Sequence, residues 1–250
     1  MKTIGLFPRV IYKLWCFIAF AILMILSYPV YKILFFRQKH FRSAFKLMRL
    51  HAAVLLFLMG IKIKLKSPVP KLPEGPFLIC PNHSSFLDIP CLYQIFPDYF
   101  TFIGKNEIRK WPLFRIFYTS GMNILVDRSS TSSKIKTLKR MSEEIESGNS
   151  LCIFPEGTIS KKAPLMNEFK KGAFAVAVKK QVPVLPVVFI SNYKRMQRGS
   201  FFFGNASPGI SYVQILEPFI TKGLDMKDLD KPEKKIFDQM QKILIKSQTD

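Results

Sequence analysis

Apolar positions in the first sixty residues fall into two blocks. Between Lys13 and Lys32 lie eighteen uncharged residues, LWCFIAFAILMILSYPVY, with no bulky polar face to interrupt them. A spanning helix needs about 20 apolar residues, and Pro29 is expected to kink or end this one. A second block, LHAAVLLFLMGI, runs from Leu50 to Ile61 between Arg49 and Lys62. Twelve residues at about 1.5 Å each cover about 18 Å, too short to cross a bilayer. The link between the blocks carries Arg37, Lys39, Arg42 and Lys46. The pattern predicts two helices with apolar faces and basic ends, a hairpin lying in one leaflet with its cations among the headgroups. A single spanning helix built from the first block is the rival, and a soluble helical subdomain fits less well. No small-x-small cleavage site follows the first block, so it is expected to stay in the mature protein.

After Lys66 the texture changes. Prolines at 68, 70, 73 and 76 mark an irregular connection. Short apolar runs then alternate with helical patterns. FLIC (77–80), NILV (123–126), LCIF (151–154) and VPVLPVVFI (182–190) read as strands. DIPCLYQIF (88–96), the charged stretch 132–147 and KKGAFAVAVKK (170–180) read as helices. Ile236, Phe237, Met240, Ile243 and Leu244 follow an i, i+1, i+4, i+7, i+8 pattern, an amphipathic helix packed on the body. The alternation predicts an α/β fold, a largely buried sheet flanked by helices, preceded by a membrane-associated two-helix segment. The expected division is 1–66 for the hairpin and 67–250 for the α/β domain.

Composition sharpens the membrane expectation. The 250 residues are 48% hydrophobic and include 24 Phe, yet Lys+Arg number 38 against 17 Asp+Glu, a net charge of +21. A chain both greasy and basic suits an anionic phospholipid surface, where each cation near the headgroups contributes about 1 kcal/mol. A nucleic-acid groove needs charge and a few stacking rings, not this apolar excess, so no nucleic-acid partner is expected. Cys16, Cys80, Cys91 and Cys152 form no CxxC pair, and with three scattered histidines no metal site is expected.

Three loops carry candidate chemistry. LICPNHSSFLDIP (78–90) places His83 just past a strand and Asp88 five residues later. Ligands of open α/β sheets bind beyond the carboxyl ends of strands. On one helix the two residues would be about 140° apart. They meet only if His83 lies in the loop and Asp88 reaches back from the first helical turn. A carboxylate on one imidazole nitrogen would leave the other to take a proton from a hydroxyl. Ser84 and Ser85 offer a serine nucleophile, but no G-x-S-x-G elbow surrounds them. LCIFPEGTIS (151–160) ends another strand in Glu156, Gly157 and Thr158; its turn amides suit an anion. GMNILVDRSS (121–130) places Arg128 after a third strand, positioned either to clamp a phosphate or to pair with Asp127.

NHSSFLD, with its Asn-His-x4-Asp spacing, resembles the first block of the glycerolipid acyltransferases, a group that includes the 1-acylglycerol-3-phosphate (lysophosphatidic acid) acyltransferases. ILVDR, FPEGT and VPVLPV resemble their second, third and fourth blocks, in the family's order, between about Gly75 and Ile190. The resemblance implies transfer of an acyl group from acyl-CoA or acyl carrier protein to a lysophospholipid hydroxyl, with no cofactor beyond that donor. It implies His83 as general base, Asp88 as its orienter, and Arg128, Glu156, Gly157 and Thr158 as acceptor-site residues. Lys105, in FIGKNEIRKWP, is a candidate for steadying the oxyanion or steering phosphate. The cytoplasmic face of a membrane, in bacteria the inner one, is the implied location. One departure stands out. The third block often continues FPEGTRS, but position 159 is Ile, with Lys161 and Lys162 following. A different lysophospholipid or an aminolipid is therefore the alternative acceptor. A membrane-bound interaction protein with a dead site is the non-enzymatic alternative.

Overall fold

The computed structural model describes residues 6–110, 113–126, 130–199, 202 and 204–248. Helix α1 (Leu6–Leu34) turns through a single 3-10 segment into α2 (Phe41–Leu58). Strand β1 (Ile61–Leu65) follows, then β2 (Leu78–Pro81), α3 (Asp88–Ile95), β3 (Phe100–Lys105), α4 (Ile116–Thr119) and β4 (Ile124–Val126). The chain continues through α5 (Thr131–Glu146), β5 (Ser150–Ile153), α6 (Lys171–Lys180), β6 (Val184–Phe189), α7 (Asn192–Arg195), β7 (Gly209–Ile215) and α8 (Asp230–Lys246).

The seven strands form one sheet in the order β1-β7-β6-β2-β5-β3-β4. Only the β6–β7 pairing is antiparallel. The five strands β4, β3, β5, β2 and β6 therefore all run the same way, and the loops at their carboxyl ends gather along one edge. Both faces are covered, as a parallel sheet requires. Alternate residues split between two cores. Ile79, Cys152, Leu185 and Val187 join α1, α2 and α3 on one side. Leu78, Cys80, Leu151 and Val184 join α5, α6 and α8 on the other. Burial on both faces is why FLIC and VLPVVF are unbroken apolar runs instead of alternating ones.

Two sequence expectations change, and the expected strand over 182–190 forms in spite of its prolines. Pro29 does not end α1, which continues five residues beyond it. Residues 61–65, read as part of the N-terminal segment, form an edge strand paired with β7. Pro186 sits inside central β6, where its missing N–H would normally break a ladder. Its carbonyl accepts from Leu216, just past the end of β7. In a strand the N–H points to the same side as the C=O, so the lost donor falls where the β7 ladder has already run out. The C-terminal helix packs as its periodicity predicts, with Ile236, Met240 and Leu244 fully buried.

Candidate active site

His83 follows β2 by two residues and its ring is nearly covered, with 13% of the side chain exposed. Asp88 opens α3 and is fully buried. The aspartate reaches back over the turn, and its Oδ2 accepts from His83 Nδ1 at 2.9 Å and from the backbone N–H groups of Ser84 (2.7 Å) and Ser85 (2.8 Å). An ionised carboxylate only accepts, so Nδ1 carries the proton and Nε2 is left as the basic nitrogen. Among the described residues Nε2 has no hydrogen-bond partner. The imidazole lies flat on Phe154, ring centroids 3.9 Å apart.

The second carboxylate oxygen is met from the far side. Asn192, the first residue of α7 and fully buried, donates to Asp88 Oδ1 at 2.8 Å, and its own Oδ1 accepts from Ser211 of β7. Asn82 fixes the strand end itself: its Oδ1 accepts from Phe189 N at 2.7 Å and its Nδ2 donates to Phe189 O. The base thus rests on a polar chain crossing from β2 to β6 and β7. Asn192 was not anticipated from sequence; the available signal was its place directly after a fourth parallel strand. Ser85 Oγ is fully buried, donates to Met196 O and accepts from Leu87 N. That engagement shapes the loop and leaves no exposed serine nucleophile there.

Glu156 follows β5 and is 3% exposed. Its Oε1 accepts from His83 N and its Oε2 from Asn167 N, each at 2.7 Å. Burial pushes its carboxyl up to about 7, while the two backbone donors hold it back and the nearby Asp88 charge adds to the rise. The loop returns the contact, since Ser160 N donates to His83 O at 2.8 Å. Glu156 therefore ties the two loops together. Gly157 takes φ +66°, a left-handed turn that a side chain would strain. Thr158 Oγ1 accepts from Nη1 of Arg198 at 2.6 Å, and the same nitrogen donates to Ile159 O at 3.1 Å. Arg198 had no local signal in the sequence, being a polar position in a long loop.

Lys105 ends β3 and is exposed at the carboxyl edge, two residues beyond the Ile103–Ile153 pair. It shares the end of the sheet with His83 but makes no described contact to it. Arg128 lies outside the described residues. No group of three or more His, Cys, Asp and Glu side chains suited to a metal ion occurs among the described residues.

A nearly covered imidazole oriented by a buried carboxylate, with Nε2 engaged by no described residue, is suited to activating a hydroxyl. Residues 60–190 match the protein family described as Acyltransferase, a segment that contains His83, Asp88 and the 156–158 turn. The chain belongs to the acyltransferase family. It is 32% identical to the 1-acyl-sn-glycerol-3-phosphate acyltransferase of Saccharomyces cerevisiae over 75% of this chain and 61% of that protein. With the beta form of the same enzyme from Homo sapiens the identity is 31%, over 69% of this chain and 61% of the relative. The chain spans between 55% and 63% of the length of such curated relatives. The crystal structure of the 1-acyl-sn-glycerophosphate (LPA) acyltransferase PlsC from Thermotoga maritima superposes with a TM-score of 0.76, covering 100% of this chain and 99% of that one at 23% identity. At that identity the likeness establishes a shared fold, and membership of the family rests on the match over residues 60–190.

Proposed function

We propose that the protein moves an acyl group from an acyl thioester to the free hydroxyl of 1-acylglycerol-3-phosphate, giving phosphatidic acid. The observation that carries this reading is the 2.9 Å contact between His83 Nδ1 and the buried Asp88 carboxylate, within the matched acyltransferase segment. An alcohol has a pKa far above 7, so its attack requires proton removal as the new bond forms. His83 Nε2 accepts that proton while the alkoxide oxygen adds to the thioester carbonyl. Asp88 stabilises the resulting imidazolium, and a positioned general base of this kind contributes roughly 10²–10⁴-fold. Collapse of the tetrahedral intermediate breaks the C–S bond, and the imidazolium returns its proton to the leaving thiolate. No acyl-enzyme forms on this route, and it calls on no cofactor beyond acyl-CoA or acyl carrier protein as donor. Lys105, exposed at the same edge, is assigned to steadying the oxyanion or steering phosphate. Gly157 and Thr158 line the acceptor, and Glu156 shapes their turn from beneath.

The same reading places the enzyme at an anionic phospholipid membrane. Within Phe7–Leu34 the most apolar 18-residue window has a mean hydropathy of 2.2, and only 22% of that window is buried. Trp15, Phe17, Ile22, Leu26 and Ile33 all face outward. Helix α1 does not stand apart from the body. Tyr12 and Trp15 donate to Met59 O and Leu58 O at the far end of α2, while Tyr31 and Phe35 stack together and Phe35 meets Phe41 at the near end. In turn α2 is tied to α3 by Arg49 donating to Tyr93 O and Gln94 donating to Arg49 O. A crossing by α1 would drag this polar body into hydrocarbon. The packing supports a hairpin lying in one leaflet, with Lys32, Arg37 and His40 at headgroup level, and the cytoplasmic face is the proposed side.

An acceptor panel tests the assignment. Purified enzyme with labelled acyl-CoA should favour 1-acylglycerol-3-phosphate over lysophosphatidylcholine, lysophosphatidylethanolamine and an aminolipid. Equal or lower turnover of lysophosphatidate would overturn the acceptor, and full turnover by His83→Ala would remove the base.

A further inference from the structure

We propose that Arg198 is the residue that binds the acceptor's phosphate and so sets specificity for an anionic headgroup. The inference rests on the phosphate-bearing acceptor proposed above. Ile159 cannot supply a cation and is 6% exposed, and Lys161 and Lys162 lie on the exposed turn beyond. A guanidinium from a distant part of the chain fills the gap. Arg198 reaches the site because its segment is pinned to the histidine loop. Ser85 Oγ donates to Met196 O at 2.6 Å, and Ser85 pairs with Gln197 as an isolated bridge. Its head then meets Thr158 Oγ1 and Ile159 O. Those two residues sit between Glu156 and Ser160, which hold the two ends of the His83 peptide unit.

Both contacts use Nη1, and both acceptors are neutral oxygens. No described carboxylate pairs with this half-buried cation. The remaining N–H groups of the planar fork are engaged by no described residue, and such a fork matches phosphate oxygens two at a time. The site also needs positive charge. The Asp88 carboxylate lies beside His83, with Glu156 adding negative charge as it ionises, and an uncompensated phosphate would be repelled.

The test is a binding measurement in the inactive His83→Ala background, followed by the phosphorus resonance of 1-acylglycerol-3-phosphate in non-ionic micelles. Arg198→Gln keeps an N–H for Thr158 but removes the charge, and should weaken lysophosphatidate binding roughly 10- to 100-fold. Uncharged 1-acylglycerol, read by calorimetry, should change less than about twofold. Arg198→Lys should recover part of the loss, and Lys161→Gln with Lys162→Gln should have little effect. Thermal melts of each variant exclude simple unfolding. Equal weakening for both lipids would make Arg198 a structural strut and overturn the proposal, as would unchanged lysophosphatidate binding or a loss confined to the lysine pair. Turnover of lysophosphatidate by the unmodified enzyme is a separate arm. Its absence would defeat the proposed reaction while leaving an Arg198-dependent phosphate site standing.

Discussion

Replacing Asp88 by Asn removes a charge while leaving a way for every buried partner to be satisfied. Oδ2 receives three donors, so the new amide must place its oxygen there and its NH2 toward Asn192. Two donors would then face each other, but Asn192 can flip. Its oxygen would accept from the new NH2, its nitrogen would donate to Ser211 Oγ, and the Ser211 hydroxyl could turn to Cys91 Sγ, now 3.7 Å away. The fold and the imidazole tautomer survive. What is lost is the carboxylate opposite the imidazolium. Unit charges about 4 Å apart at an effective dielectric constant of about 20 interact by about 4 kcal/mol, or roughly 10³ in rate. The hydrogen bond that remains recovers part of this, so kcat should fall roughly 10²- to 10³-fold. Thiol release from acyl-CoA with lysophosphatidate measures it, with a thermal melt beside it. Asp88→Ala is the poorer probe, since it strands two buried backbone N–H groups and the Asn192 amide at about 1–3 kcal/mol each. A double variant with His83→Ala isolates the coupling. If Asp88 acts only through the ring, adding Asp88→Asn to His83→Ala should cost almost nothing further. A well-folded Asp88→Asn enzyme within tenfold of the unmodified rate, or multiplicative losses in the double variant, would refute the orienting role.

Glu156→Gln sets an NH2 against one of two backbone donors and should lower stability by about 1–3 kcal/mol where the carboxyl is best tolerated. Because burial raises this carboxyl from 4.5 to about 7, its stabilising share is complete below about 4.5 and is lost as pH climbs toward 7. The Tm gap between the unmodified protein and Glu156→Gln should therefore shrink across that window, and parallel Tm curves would contradict it. Asn192→Ala leaves Asp88 Oδ1 with only the 3.4 Å contact from Ser84 Oγ; kcat should drop about tenfold with the acceptor KM unchanged, and a rise in KM alone would argue for direct substrate contact. Ile22→Asp combined with Leu26→Asp puts charge on the outward face of α1 and should abolish flotation with anionic vesicles without changing Tm; unchanged flotation would remove α1 from the membrane contact.

The sequence carried the local part of this structure well and the long-range part poorly. His83 and Asp88 are five residues apart, and the requirement that one sit in a loop and the other in a first helical turn follows from helix geometry alone. Strand patterns with both faces buried stood out as FLIC, LCIF and VPVLPVVFI. The strand Ile61–Leu65 alternates Ile and Lys in plain view, but it abuts an apolar helix end and reads as that helix's continuation. Phe100–Lys105 and Gly209–Ile215 are strands absent from the sequence expectations, although Pro97-Asp98 precedes the first and Pro208-Gly209 and Pro218 bracket the second. Pro29 misled, since α1 runs through it, whereas VPVLPVVFI reads as a strand in spite of its prolines and forms β6, where the missing N–H of Pro186 falls beyond the β7 ladder. Asn192 and Arg198 lie 104 residues from Asp88 and 40 from Thr158. No spacing rule reaches that far, so only the parallel order of the strands could have brought them to the site.

That order also explains why motifs 73 residues apart behave as one construction. The ring of His83 is oriented by Asp88, from its own loop. The backbone of His83 is held by the β5 loop, through Glu156 on its N–H and Ser160 on its carbonyl, with Phe154 beneath the ring. Neither loop alone fixes both position and orientation. Adjacent parallel strands β2 and β5 end side by side, so the two half-clamps face each other without any connecting element. General-base catalysis tolerates little misplacement, because the donor hydroxyl must lie within hydrogen-bond reach of Nε2 at the moment of attack. On the proposed mechanism, the buried glutamate of the third block would serve by holding His83 through its backbone N–H at the place where the acceptor hydroxyl is to arrive.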